Sequence, residues 1–485
     1  MTNSRCYLFG FMKSHFRNKK IVVMGLGLNG GGVGAATFFA KCGAKVLVTD
    51  LRTKKELEPS LRQLKKWKNI RYSLGGHKEG DFLKADIIIK NPAVTNKSKF
   101  IKLARKKGIP IETDMSIFEH LCPAPIIGIT GTKGKTTTAT IIGRILQQWD
   151  SRTILAGNLR VSALQFLPSL IDRKKDYPWV VLELSSWQLE GSAHVARSPK
   201  IAVITNVFED HLDRYDTFED YIQAKKIILN SQNEDDTTVL NADNEITRGF
   251  ADIAAGKVVW FSYSKLPAKK KGVYVLKNEI WSSLGEKPVR ICKLKSLQFQ
   301  GQHVVLNTCA AIAVALTVGV PIRTIKSALK KAVLPDGRME VIQEKKGVVY
   351  MNDTTATVPG ATMATLSALC DKKKKQKVIL IAGGISKNVD YEDLAAQARK
   401  MCKAIIVLST GKRETGSAQL KAELSGYKPI VSAETMEHAV QLASEYAKSG
   451  DVIVLSPASA SFGMFQNEFD RGDQFNLAVE ELCRR

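Results

Sequence analysis

Residues 128 to 140 read GITGTKGKTTTAT, an apolar strand that runs into paired glycines, a lysine and a run of threonines. The spacing Gly131-x-x-Gly134-Lys135-Thr136 is the working core of a phosphate-binding loop. The strict GxxxxGK[ST] pattern misses by one place, because its first glycine would fall at Ile129. Backbone N–H groups of Gly131, Thr132, Lys133 and Gly134 can wrap phosphates, and the helix that follows points its positive end at them. Lys135 can neutralise β and γ oxygens, and the Thr136 hydroxyl, followed by Thr137, can ligate magnesium. A ligand-free glycine-rich turn is the plain alternative. Between an apolar strand and a helix, an ATP site is the better reading, and it predicts a P-loop domain with a parallel sheet.

The residues downstream extend that domain. WVVLELSS and IAVITNV are short, β-branched, apolar runs of the kind that form buried strands. Glu183 is a lone carboxylate inside the first run, which is costly unless it is paired or holds a cation. The second run ends in TNVFEDHLDRY, which puts Glu209, Asp210, His211 and Asp213 in one loop. Ligands of open α/β sheets bind beyond the carboxyl ends of strands, so both segments lie where chemistry is expected.

Two flanking blocks share this style. Upstream, IVVMGLGLNGGGVGAATFFAKCGAKVLVTD reads strand, glycine loop, helix, strand, with Gly25-x-Gly27-x-x-Gly30 and Asp50 at the next strand's end. Alone, that is a dinucleotide fingerprint with Asp50 reaching a ribose hydroxyl, and whether the ligand is NAD or another nucleotide stays open. Downstream of AVLPDG, the runs VVYMNDTTAT, KVILIAGG, AIIVLST and DVIVLSPAS alternate with helical segments. The expected fold is therefore α/β with three domains. These are a Rossmann-like domain over 1–122 (1–18 an unstructured extension), a central P-loop domain over 123–334 opened by the connector CPAP, and a Rossmann-like domain over 335–485. Parallel sheets with crossover helices are expected in all three.

Composition narrows the classes. With 44% hydrophobic and 25% charged residues the chain is globular. Its formal charge of +25 raises nucleic acid, acidic membrane or anionic substrates as partners. The lysines fall in scattered polar clusters without interleaved aromatics, so solvated surfaces are preferred to a nucleic-acid face. Eight dispersed cysteines with no CxxC suit reduced thiols in the cytoplasm. The longest apolar run, AAIAVALTVGV at 310–320, is too short for a membrane span.

Taken together, TGTKGKTT, LELSSWQLE (182–190), NVFEDHLDRY (206–215), YIQAK (221–225), NADN (241–244), GQHVVLNTCAA (301–311), RME (338–340), NDTTAT (352–357) and LSPASASFGMF (455–465) resemble the Mur ligase family of peptidoglycan amino-acid ligases. The resemblance runs from about residue 19 onward. Its LELSSWQLE and LSPASAS forms are most similar to the member that adds D-glutamate to UDP-N-acetylmuramoyl-L-alanine. It implies an ATP- and Mg2+-dependent, amide-forming ligase, a monomer of the cytoplasm serving cell-wall synthesis, with no nucleic acid and no membrane insertion.

By position, the resemblance implies that Lys135, Thr136 and Thr137 hold the ATP phosphates and one magnesium. Glu183, His211 and Lys225, the last as a carbamate, would hold a second. Asn307, Arg338 and Asp353 would meet the adenine, phosphates and ribose. Leu28, Asn29, Asp50 and Arg52 would take the UDP group, with Asn158 near the muramoyl-peptide. Thr357, Lys387, Ser461 and Phe465 would surround D-glutamate. Departures from the family pattern are Lys133 for asparagine or histidine, Val304 for asparagine, Thr355 for the lysine of NDSKAT, the longer LPDGRME, and GGIS without its aspartate.

Rival readings remain at this level. Another Mur ligase or a folylpolyglutamate synthase shares the chemistry, a nucleotide or NAD sensor would use only Gly25 to Gly30, and a nucleic-acid-stimulated ATPase would use the positive charge.

Overall fold

The computed structural model describes residues 14–28, 30–158, 161–171, 177–210, 214–297, 301–331, 335–369, 378–409, 411, 415–461 and 463–484. Among them, three sheets follow one another along the chain, and the chain divides into two compact units, the first carrying two sheets and the second carrying the third.

The first sheet has strands β1 (Lys20–Met24), β2 (Lys45–Asp50), β3 (Ile70–Leu74), β4 (Ile87–Lys90) and β5 (Ile111–Glu112), in the order β3-β2-β1-β4-β5 and all parallel. The order reverses beside β1, at the glycine loop that leads into helix Gly31–Lys41. A Cβ on Gly32 would lie 2.3 Å from the Leu26 carbonyl oxygen, so the loop and helix close up only because that position is glycine. Phe16 corrects one expectation. It is buried against Phe38 and Phe39 with ring centroids 6.2 and 5.1 Å away, so folded chain begins before residue 18.

The second sheet holds β6 (Ile126–Thr130), β7 (Ile154–Gly157), β8 (Val180–Glu183), β9 (Ile201–Ile204), β10 (Thr237–Asn241), β11 (Lys257–Ser262), β12 (Gly272–Leu276), β13 (Glu279–Ser282) and β14 (Val289–Lys293). Their order is β14-β13-β12-β11-β10-β9-β6-β8-β7. The strands from β7 to β12 are parallel, as expected, but β12, β13 and β14 form an antiparallel meander. The loops of that meander are too short to hold the crossover helix a parallel pair needs. One face of this sheet is covered by helix Lys135–Trp149 and helix Gln302–Thr317, whose AAIAVALTVGV stretch is core and not a membrane segment. Among the described residues no helix is long and apolar enough to cross a membrane.

The third sheet holds β15 (Glu340–Lys345), β16 (Val348–Asn352), β17 (Val378–Ala382), β18 (Cys402–Leu408), β19 (Ile430–Ala433) and β20 (Val452–Leu455), in the order β15-β16-β20-β17-β18-β19. Only β15 is antiparallel. Its two faces carry separate apolar clusters, as a doubly wound sheet requires.

The first two sheets share one continuous core, in which Val23 and Phe39 join Leu164, Leu182 and Ala202. The connector between them is fastened by Arg197, whose guanidinium donates to the carbonyls of Glu119 (3.0 Å), Cys122 and Ala124 (3.1 Å). Beside it lies the carboxyl of Glu119, on helix Asp114–Leu121. Burial pushes its pKa up to about 8 from 4.5, against the opposing pull of Ser192 and Arg197. The folded protein therefore keeps a proton that the unfolded chain gives up at pH 4.5. This contribution to stability is fully present below pH 4.5 and is lost as pH rises to about 8. Glu119→Gln should flatten the fall in thermal midpoint between about pH 5 and pH 8. Equal slopes for the variant and the native chain would rule this assignment out.

Candidate active site

The carboxyl ends of β9, β6, β8 and β7 stand side by side, and each delivers one part of a site. From β6 comes the phosphate loop. Gly131 and Gly134 have φ of 146° and 83°, values that disfavour any side chain. A Cβ on Gly131 would meet Thr205 Oγ1 at 1.9 Å, and one on Gly134 would meet Asn307 Oδ1 at 2.4 Å. The loop is thus clamped between the end of β9 and helix Gln302–Thr317. Its backbone is held by Thr132 N–H to the Asn206 carbonyl (2.8 Å), Lys133 N–H to Asn206 Oδ1 (2.9 Å) and the Thr205 hydroxyl to the Lys133 carbonyl (2.7 Å).

The lysine expected to meet phosphate lies across this loop. Lys135 Nζ donates to the carbonyls of Gly131 and Thr132, both at 2.9 Å. Thr136 and Thr137 occupy the first turn of helix Lys135–Trp149, whose N-cap is Gly134. Lys133 is ion-paired with Asp210 at 2.9 Å. Thr132 accepts from the Phe208 N–H (3.0 Å) and from Tyr221 Oη (3.3 Å), which joins the loop to helix Phe218–Lys226.

From that helix comes Lys225, which the sequence alone could equally place in solvent. It is 1% exposed. Its Nζ donates to the Gly131 carbonyl at 2.8 Å and lies 4.4 Å from the Tyr221 ring centroid. Burial, reinforced by Lys135 and Lys133 and opposed by Asp210, holds its pKa well below the ordinary lysine value. A neutral amine is the form that can react with carbon dioxide to give a carbamate.

From β8 comes Glu183, 2% exposed. Asn158, just past β7, donates from its side chain to Glu183 Oε1 at 2.9 Å and from its backbone to the Glu183 carbonyl at 3.1 Å. Glu183 Oε2 is buried with no hydrogen-bond partner among the described residues. A buried, half-satisfied carboxylate next to a phosphate loop fits a cation, so the residues present agree with magnesium. His211 lies outside the described residues, as does Asn29. Among the described residues no cluster of three or more histidine, cysteine or acidic side chains forms by itself.

In the first sheet Asp50, at the end of β2, is bonded to the backbone on two sides. Its Oδ2 accepts from the Gly27 N–H (3.0 Å) and its Oδ1 from the Arg52 N–H (2.9 Å). Asp50 therefore also shapes the glycine loop, and each oxygen keeps a second acceptor site. Leu28 is half-buried on that loop, whereas Arg52 is exposed beyond β2.

The second unit gathers its own residues at the carboxyl ends of β16, β20 and β17. Asp353 is buried, accepting from Thr365 and Ser456 hydroxyls and from the Met339 N–H. Burial raises its pKa to about 6, with those bonds and Arg338 opposing. Lys387 Nζ lies 3.0 Å from Thr357 Oγ1. Ser461 is buried with its hydroxyl unmatched among the described residues, and the Phe465 N–H donates to its carbonyl at 3.2 Å. The two departures Thr355 and Gly337 belong to one feature: Thr355 bonds the Gly337 carbonyl through both its N–H (3.2 Å) and its hydroxyl (3.0 Å).

Sequence reading missed Arg471, a fully buried guanidinium. It donates to Thr354 Oγ1 (3.1 Å), the Thr354 carbonyl (2.8 Å) and the Ser459 carbonyl (3.0 Å). Its desolvation lowers its pKa to about 9, opposed by Glu468. A signal existed, since Arg471 shares the buried stripe of helix Glu468–Arg484 with Phe475, Ala478 and Val479.

Comparison with known proteins agrees with this layout. Residues 19–113 match a Mur ligase MurD-like N-terminal domain, 129–315 a Mur ligase middle domain, and 337–459 a Mur ligase glutamate ligase domain. A UDP-N-acetylmuramoylalanine–D-glutamate ligase of Roseiflexus sp. (strain RS-1) is 40% identical over 474 residues, covering 96% of this chain and 99% of its own. The enzyme of the same name from Acetivibrio thermocellus is 35% identical, covering 97% and 98%. Among solved structures, UDP-N-acetylmuramate-alanine ligase MurC from Thermotoga maritima shares the fold with a TM-score of 0.63 at 20% identity, covering 96% of this chain and all of that one. MurF ligase from Thermotoga maritima in complex with ADP gives 0.55 at 17%, covering 97% of each. A P-loop edge, three Mur ligase domains in order and near-full-length identity of this degree lead to one conclusion: the chain belongs to the Mur ligase family.

Proposed function

We propose that the chain is an ATP-dependent ligase that joins D-glutamate to UDP-N-acetylmuramoyl-L-alanine, acting as a monomer in cytoplasmic peptidoglycan precursor synthesis. The observation that carries this reading is the convergence at one sheet edge of the phosphate loop, the half-satisfied Glu183 and the buried Lys225. The full-length likeness to ligases named for D-glutamate supports the choice of amino acid.

In the first step a carboxylate oxygen of the alanyl group attacks the γ-phosphorus. The bond to the β-phosphate bridging oxygen breaks, and ADP leaves with the electron pair. All the partners are anions, so the site must supply positive charge. Lys135 does so by exchanging its loop carbonyls for phosphate oxygens, and the N-terminus of helix Lys135–Trp149 adds its dipole. Magnesium, when bound, neutralises phosphate charge and polarises the γ-phosphate; Thr136 would hold one ion, and Glu183, His211 and a carbamylated Lys225 a second.

In the second step the amine of D-glutamate attacks the acyl phosphate carbonyl, phosphate leaves, and the nitrogen gives up a proton. Lys387 is the natural cation for the glutamate carboxylates, with Thr357, Ser461 and Phe465 as the wall around it. Leu28, Asn29 and Arg52 serve the uridine side of the acceptor, with Asp50 fixing their loop. Asn158 steadies Glu183 toward the muramoyl-peptide, and Asn307, Arg338 and Asp353 serve the nucleotide.

Two measurements check this reading. With UDP-N-acetylmuramoyl-L-alanine, Mg-ATP and single amino acids, ADP release should depend on D-glutamate and be absent with L-glutamate or L-lysine. Release with a different amino acid would reassign the specificity, and release with none would end the proposal. Lys225→Ala should lower turnover by at least about a hundredfold, with partial rescue by short carboxylic acids. In bicarbonate-free buffer without nucleotide, Lys225→Met should raise the unfolding midpoint at neutral pH. The unfolded chain takes up a proton on Lys225 that the folded chain refuses, so stability falls as pH drops below 10.5. A variant that is both active and no more stable would remove the buried-amine role.

A further inference from the structure

The loop that follows β9 does two jobs. At its start, Thr205, Asn206, Phe208 and Asp210 grip the phosphate loop through the contacts described above. Further on, Arg214 turns toward the first sheet. Its Nη2 donates to the Pro92 carbonyl at 3.1 Å and its Nη1 to the Ala93 carbonyl at 3.4 Å, both in the loop that leaves β4. Its guanidinium also lies 4.3 Å from the Trp187 ring centroid and 3.4 Å from Glu190 Oε2, both on helix Ser186–Ser192 directly after Glu183. The Arg214 side chain is only 13% exposed.

Glu190 binds the cluster together. It also accepts from Tyr215 Oη at 3.1 Å, and its charge offsets the crowding of Arg214 and Arg105 around the buried ammonium of Lys90. Lys90, the last residue of β4, donates to the Val94 carbonyl at 3.1 Å and so closes the same loop from inside. An exposed pair, Lys97–Asp216 at 3.2 Å, continues the seam. One side chain therefore touches the first-sheet loop and the Glu183 helix, and belongs to the loop that grips the phosphate loop.

This inference rests on the ligase reading. An acceptor carried by the first sheet must present its acid to a γ-phosphate carried by the second, and an error of about 1 Å in that register can lower the rate about a hundredfold. We propose that Arg214 is a positioning residue that sets this register, using its planar fork to hold the β4 loop, Trp187 and Glu190 in one arrangement. Lysine cannot substitute fully, because a point charge on a flexible stem neither stacks on the indole nor reaches two carbonyls at fixed spacing.

The test uses the full chain with Arg214→Met and Arg214→Lys. Four quantities are measured: the thermal midpoint, calorimetric affinity for Mg-ATP, kcat and KM for UDP-N-acetylmuramoyl-L-alanine, and phosphate released per acceptor converted. Mg-ATP affinity should stay within about twofold, while kcat for Arg214→Met falls and KM for the nucleotide sugar rises, each by about tenfold or more. Phosphate release should exceed amide formation, because a misplaced acceptor leaves activated phosphate open to water. Arg214→Lys should fold and show the same changes to a smaller degree; if Arg214→Met does not fold, Arg214→Lys decides. Native kinetics and a one-to-one ratio in the folded variants would overturn the inference, as would a loss of Mg-ATP affinity equal to the loss of turnover. If the native chain forms no amide at all, the ligase reading fails instead, and that outcome is read before any variant is compared.

Discussion

Two lysines share one carbonyl, that of Gly131, and most of the site follows from that arrangement. Lys135 reaches it from the helix that begins the loop, and Lys225 reaches it from a helix nearly a hundred residues later in the chain. Two ammonium ions so close, with one of them buried, would repel strongly in a medium of low polarity. Burial and the nearby Lys135 hold the Lys225 pKa well below the ordinary lysine value, which eases the conflict. Lys135 lies part-buried on its two loop carbonyls, while Lys225 is enclosed as a buried amine. Glu183, across β6 on its other side, already waits with an unmatched oxygen.

How much of this was legible in the sequence depends on how local the cause is. The strand–loop–helix around Lys135, the strand carrying Glu183 and the glycine loop before Gly31 all announce themselves, because backbone conformation and burial there are set by neighbouring residues. The runs that read as strands became β8, β9, β16, β17, β18 and β20. What escaped was set by distant partners. Asp50 carries the right residue type at the right spacing for a ribose contact, but its added hold on the Gly27 and Arg52 N–H groups is visible only in the fold. Nothing in YIQAKK distinguishes a solvated lysine from one under a tyrosine ring, since burial of Lys225 depends on Gly131 and Tyr221 closing over it. The meander β12–β14 escaped because its strands are short and mixed in polarity, and its pairing is decided by loop length.

The departures from the family pattern read differently once the structure is known. Thr355, standing where a lysine is common, and the longer LPDGRME segment look like two separate losses in the sequence. In the fold the extra turn at Gly337, which has φ of 68°, is fastened by the backbone and hydroxyl of Thr355. A lysine at that position would have no hydroxyl to give, so each change makes the other workable. Lys133 is similar: its charge is balanced in place by Asp210, and its backbone is held by Asn206 whatever side chain it bears.

Buried ionisable side chains stand at the carboxyl edges of the second and third sheets. Lys225 and Glu183 flank the phosphate loop, Asp353 ends β16, and Arg471 braces the loops after β16 and β20. Taking an ionisable group out of water carries a desolvation penalty that a few hydrogen bonds only partly offset. These four act on carboxyl strand ends, where ligands of open α/β sheets bind, whereas the equally buried Glu119 lies on a helix at the connector. Arg471 sharpens the point. It reaches no exposed surface and fixes Thr354 and Ser459, close in sequence to Asp353 and Ser461, so its guanidinium ties the loops after β16 and β20 together.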